Sequence, residues 1–79
     1  MSVEETVRDI VVKIVHVPES EFTLTSTFKE MNADSLDVVQ ILVAIEETLD
    51  IEMEDEELEN ITNMGEFIAY IERKVAEKG

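Results

Sequence analysis

The chain has no cysteine, which excludes a disulfide framework, a thiolate metal site and a thiol nucleophile of its own. Its only glycines are Gly65 and Gly79, so the glycine-flanked serine turn of hydrolases cannot be built. The lone histidine, His16, has no flanking signature of a catalytic base and reads as a helix-end residue beside the C-terminal dipole. Positive charge is scarce: 6 Lys and Arg stand against 20 Asp and Glu, for a net charge of −14. No basic residue falls between Lys29 and Arg73, although 14 of the 20 acids do. Phosphate backbones attract Lys and Arg, so nucleic acid is not an expected partner, whereas a basic protein surface is. No apolar run approaches membrane-spanning length and the N-terminus has no basic-then-apolar signal. A soluble, cytoplasmic protein without membrane insertion is expected.

A length of 79 residues is that of a single domain, 1–79, with a modest core. An enzyme's pocket, walls and lid are hard to build from so little chain, and no enzymatic activity is expected. The hydrophobic share of 44% and charged share of 33% suit a folded helical domain rather than a disordered one.

Val3, Val7, Ile10, Val11 and Ile14 recur at helical spacing and predict a first helix over Val3 to His16. Ser2 and Glu5 have capping-box spacing, and Pro18 ends the helix. A long connection, Val17 to Ala33, follows, with Phe22, Leu24, Phe28 and Met31 expected to pin it to the core. A second helix is predicted from Ser35 to Leu49, with Asp34 as N-cap and Asp37 completing a near relative of the capping box. Asp50 to Glu54 alternates acidic and apolar residues, but a lone strand has nothing to pair with, so a loop anchored by Ile51 and Met53 is expected. Its acid spacing resembles the start of a calcium loop. Asp55 stands where Gly is needed and Ile61 where a bidentate Glu is needed, so no EF-hand metal site is expected; loose, stabilising binding of divalent cations to this acid-dense stretch stays open. A short third helix should cover Asp55 to Ile61, with Leu58 and Ile61 inward. Thr62 or Asn63 should cap the last helix, whose inner stripe is Met64, Phe67, Ile68, Ile71 and Val75 and whose dipole Lys74 and Lys78 complement. Met31, Met53 and Met64 read as core gap-fillers. The expected fold is all-α: a small four-helix bundle of three longer helices and one short one, with a long loop between the first two.

On a helical wheel the second helix has two apolar groups. Val38, Ile41, Leu42, Ile45 and Leu49 form a core face, while Leu36, Val39 and Val43 lie on the other side, beside Gln40 and Glu47. Three apolar residues on one face, rimmed by carboxylates, read as a docking surface. Ser35 lies in the first turn, where backbone donors are free and the dipole is positive. A phosphoryl group attached there would be stabilised, but capping serines are common, and taken alone Ser35 reads first as a helix-start residue.

The run Ala33-Asp34-Ser35-Leu36-Asp37, then Ile45-Glu46-Glu47 on the same helix, then Asp55-Glu56-Glu57, resembles the acyl carrier protein family. The resemblance extends from the first helix to Tyr70-Ile71. It implies that Ser35, with Asp34 beside it, is the attachment point for 4′-phosphopantetheine, delivered from coenzyme A by a holo-carrier synthase (a phosphopantetheinyl transferase). It implies that the arm's thiol carries acyl groups as thioesters to fatty-acid or related synthases and transferases. It implies an acyl shelter, for which Phe28, Leu42, Ile45, Ile61, Ala69 and Ile71 are the candidates; core packing is their other role. And it implies that Asp34, Leu36, Asp37, Val39, Val43, Glu46 and Glu47, with Gln40 on the same helix, meet basic patches on partner enzymes. Gln40 and Thr48 stand where the family often has acids, and Asn32 where it usually has Gly, so the docking face is less charged than in the usual fatty-acid carrier. A monomer is expected. Two alternatives stand beside this reading: a dedicated carrier for a specialised polyketide, aminoacyl or lipid-modification pathway, and an unmodified acidic adaptor.

Overall fold

The computed structural model describes residues 2–78. Four helices follow one another: α1 (Val3–Val15), α2 (Ser35–Leu49), α3 (Asp55–Leu58) and α4 (Met64–Lys78), with one 3₁₀ turn at Glu19–Glu21. Among the described residues there is no strand. This is the expected bundle of three longer helices and one short one.

The apolar stripes lie where the 3.6-residue period puts them. Val7 and Val11 of α1, Ile41 and Ile45 of α2, and Met64, Phe67, Ile68 and Ile71 of α4 form the buried centre, with Val3, Ile10, Ile14, Leu42, Leu49 and Val75 packed around them. Burial of each such side chain contributes about 1.5–3 kcal/mol, the main stabilisation open to so short a chain. α1 packs against both α2 and α4. The connections add Phe22, Met31 and Ile51 to the core, and the rings of Phe28 and Phe67 meet edge to face at 5.5 Å and 70°.

Leu24 departs from expectation: its side chain is 50% exposed. Its backbone is the anchor instead. The carbonyls of Leu24 and Ser26 accept from the amides of Gly65 (2.8 Å) and Met64 (2.9 Å). Asn63 Oδ1 accepts from the Glu66 amide at 2.9 Å, and Glu66 Oε1 reaches back to the amide and hydroxyl of Thr62. The otherwise orphaned donors of the first turn of α4 are thus satisfied, two of them by the long connection.

The remaining ends are closed locally. Ser2 Oγ accepts from the Glu5 amide at 3.1 Å, the forward half of the expected box. His16 serves α1 through its backbone: it adopts a left-handed conformation (φ 58°) and its amide donates to the Val12 carbonyl. α3 stops at Leu58 rather than Ile61, because the Ile61 amide bonds back to the Leu58 carbonyl, three residues away, and tightens the chain into a turn. Lys74 and Lys78 act away from the end of α4. Lys74 Nζ pairs with Glu57 at 3.1 Å, and Lys78 Nζ donates to the Leu49 carbonyl (3.1 Å) and pairs with Asp50 (3.3 Å), so it complements the C-terminus of α2.

Candidate functional site

Three short motifs in succession place Ser35. Thr27 and Glu30 form a reciprocal capping box, Glu30 Oε1 accepting from the Thr27 amide (2.9 Å) and Thr27 Oγ1 from the Glu30 amide (3.0 Å). The single turn this starts is closed by bonds from Ala33 N–H to the Phe28 carbonyl and from Asn32 N–H to the Lys29 carbonyl, with Asn32 left-handed at φ 60°. Asn is one of the few residues with a β-carbon that adopt this conformation readily, which is why it can stand here in place of glycine. Asp34 then opens α2: its Oδ1 accepts from the Asp37 amide (2.9 Å), and its own amide donates to Asp37 Oδ2 (3.3 Å). Ser35 follows as the first helical residue, exposed, while the bonds of the box run past it between Asp34 and Asp37.

The electrostatics of this turn differ from the simple helix-end expectation. The Asp37 amide is occupied by Asp34, and two carboxylates flank Ser35, so they oppose the positive end of the dipole. A hydroxyl here is reachable, but its surroundings do not concentrate anions. Each of the two carboxylates accepts a backbone amide through one oxygen, and no hydrogen bond joins either of them to the Ser35 hydroxyl.

α2 is two-sided as the wheel requires. Ile41 and Ile45 are fully buried, whereas Leu36 (64%), Val39 (54%) and Val43 (46%) are exposed on the side that also carries exposed Gln40 and Glu47. Glu46 departs from expectation: it is half-buried, and Oε2 accepts from the Met53 amide at 2.9 Å. It holds the 50–54 loop, which leaves Glu47 as the solvated acid at that end of the face.

Along the helix from Ser35, Val38 and Leu42 stand three and seven positions on, in one row. They form one wall of an apolar cavity of about 140 Å³, completed by Phe28, Leu58, Ile61 and Phe67. Of the six shelter residues expected, Phe28, Leu42 and Ile61 line it. Ile45 and Ile71 are sealed in the core at 0% exposure. Ala69 is exposed and lines a separate surface groove with Glu57, Asn60, Glu66, Tyr70 and Arg73. Two residues from both Phe67 and Ile71, it is turned about 200° from each. Val38, Leu58 and Phe67 were not anticipated as lining; the row from Ser35 through Val38 to Leu42 was the available signal. Among the described residues no group of three or more His, Cys, Asp or Glu side chains is arranged to hold a metal ion.

The family described as phosphopantetheine attachment site matches residues 5–71. The acyl carrier protein of Streptococcus pyogenes is 40% identical over 74 residues, 94% of this chain and 97% of its own length. That of Akkermansia muciniphila is 41% identical over 73 residues, 91% of each chain. In fold, the chain is similar to the solution structure of a holo acyl carrier protein from Geobacter metallireducens, with a TM-score of 0.84 at 22% identity, over 99% of this chain and 91% of that one. With relatives at this level of identity spanning nearly the whole sequence, the chain belongs to the acyl carrier protein family, whose members are carriers built on a phosphopantetheine attachment site.

Proposed function

We propose that Ser35 is the residue that takes the phosphopantetheine, and that the chain presents acyl groups to synthases and transferases rather than acting on them. The observation that carries this reading is the placement of Ser35: exposed at the head of α2, on the row that leads by Val38 and Leu42 to the apolar cavity. When bound, the group supplies the thiol that the chain lacks, and acyl cargo rides on it as a thioester. In the loading step Ser35 Oγ bonds to the β-phosphorus of coenzyme A, the pyrophosphate P–O bond breaks, adenosine 3′,5′-bisphosphate leaves, and the hydroxyl proton passes to a base of the transferase. A transferase is required to bind coenzyme A, an anion that the carboxylates flanking Ser35 do not attract.

Leu36, Val39 and Val43 give partners an apolar strip, and Asp34, Asp37 and Glu47 surround it with negative charge. A basic patch on the partner enzyme is the complement. Gln40 and Thr48, both exposed, place neutral side chains on this helix and favour, as a second reading, a dedicated partner set over the general fatty-acid enzymes. A cytoplasmic monomer fits the acidic surface, since like charge disfavours self-association. Intact-mass measurement after incubation with coenzyme A and a carrier synthase tests the attachment: one arm's mass is gained by the wild type and none by Ser35→Ala. An unchanged wild type, or an equal gain in Ser35→Ala, overturns it. The mass of the cargo on protein from its native host separates the two pathway readings.

A further inference from the structure

We propose that Tyr70 sets the length of acyl chain this carrier can shelter, by fastening the wall of the cavity that α3 provides. The inference rests on the carrier reading above and concerns residues outside the attachment motif.

The cavity has walls of two kinds. Val38 and Leu42 belong to the fifteen-residue α2 and Phe67 to the fifteen-residue α4, helices that also bury Ile41, Ile45 and Ile71 completely. Leu58 and Ile61 make the opposing wall; like Leu42 they are partly buried and packed on the core, but the backbone that carries them is different. They belong to a four-residue helix and the turn after it, too short to be stable without support. α3 has no fully buried residue of its own.

Its support is polar and converges on one side chain. Tyr70, on α4, is 4% exposed. Its Oη accepts from the amide of Glu54, the residue that caps α3, at 3.0 Å and donates to Glu57 Oε1, one turn later, also at 3.0 Å. Lys74 Nζ closes the triangle on Glu57 at 3.1 Å. The cations of Arg73 and Lys74 lie 5.5 and 5.6 Å from the centre of the Tyr70 ring, which keeps the ring in place. A single hydroxyl therefore ties both the start and the body of α3 to α4.

A cavity of about 140 Å³ is close to the size of apolar cavities, about 150 Å³, that accept a benzene ring. A chain of about six carbons fits between fixed walls on that scale. A longer chain must displace one wall, and the α3 wall is the one on a four-residue helix tied to α4 through the Tyr70 hydroxyl. Tyr70 is thus a positioning residue that makes this displacement unfavourable. Loosening it lets more of a long chain enter.

The test loads the wild type, Tyr70→Phe and Glu57→Ala with butanoyl, hexanoyl and dodecanoyl arms from the corresponding acyl-coenzyme A, with intact mass confirming each load. The thermal midpoint of every acylated form is then compared with the unacylated holo form of the same variant. In the wild type the gain in midpoint is expected to grow from butanoyl to hexanoyl and to stop by dodecanoyl. In both variants it is expected to keep growing through dodecanoyl, by up to a few degrees for each further sheltered methylene. An identical length profile in all three proteins overturns the proposal. A uniform drop in midpoint with an unchanged profile also overturns it, because it would make Tyr70 merely structural. If Tyr70→Phe does not fold, Glu57→Ala decides, since Glu57 is exposed and its removal leaves the Tyr70 ring in place. Failure to load appears as mass and overturns the attachment reading instead.

Discussion

The carbonyl of Leu24 accepts the amide hydrogen of Gly65 at 2.8 Å, and a β-carbon on residue 65 would stand 3.1 Å from that same oxygen. The long connection therefore approaches the N-terminus of α4 as closely as it does because residue 65 has no side chain. Gly65→Ala would ordinarily strengthen a helix by about 1 kcal/mol. Here the oxygen is held in place by the Gly65 amide, and Asn63 Oδ1, the capping atom, would lie at 3.3 Å. We expect Gly65→Ala to lower the urea midpoint despite its better propensity. A higher midpoint would show that the connection can yield.

Asn32 offers a contrasting substitution. At φ 60° glycine carries no steric cost, whereas a β-branched side chain does. Asn32→Gly is expected to match or exceed wild-type stability, and Asn32→Val to lose about 1–2 kcal/mol. Both are read from denaturant curves, and loading of Ser35 in these variants by the carrier synthase should follow the same order, because Asn32 delivers the chain to Asp34.

The pH dependence has two limbs. Hydrogen bonding to Lys74, then to Tyr70, holds the Glu57 carboxyl below its ordinary value of 4.5, and hydrogen bonds from Thr62 do the same for Glu66. Both depressed carboxyls favour the fold above about pH 4.5, and the contribution is lost as pH falls through their lowered values. At the other end, burial raises the Tyr70 hydroxyl above 10.0, and the Glu57 bond raises the Lys74 ammonium above 10.5. Their contributions are present below those ordinary values and are lost as pH rises through the raised ones. Thermal midpoints are expected to fall at both extremes. Glu57→Gln should soften the alkaline fall by removing the charge that raises Lys74, and leave the part due to burial of Tyr70. An alkaline limb unchanged by Glu57→Gln would disprove that assignment.

Salt should separate folding from docking. With a net charge of −14, screening relieves self-repulsion and raises the thermal midpoint. The same screening weakens attraction between the acids near Ser35 and a basic partner. We expect stability and partner affinity, measured from low ionic strength to about 0.5 M salt, to move in opposite directions. Parallel changes would contradict the electrostatic account of docking.

Much of this was legible in the residues. α2 runs from Ser35 to Leu49 as its cap and periodicity dictate, Asp34 and Asp37 close the box their spacing requires, and Leu36, Val39 and Val43 face outward as the wheel places them. These features depend on neighbours within a turn or two. What was not legible depends on partners far away in the chain. Glu46 reads as one more surface acid until the Met53 amide folds back onto it. Leu24 reads as an anchor, but its carbonyl, which no hydropathy pattern reports, is what binds. Tyr70 stands outside the expected stripe of α4, and its role depends on the hydroxyl meeting Glu54 and Glu57 from the other side of a loop.

The capping box around Ser35 has a consequence for the arm that would be rooted there. Its phosphodiester would sit between the Asp34 and Asp37 carboxylates, with the Asp37 amide already taken. Two like charges at the root therefore push the phosphodiester outward. Whatever draws it inward must come from its far tip, so an empty arm would extend into water and only an oily cargo would fold it home.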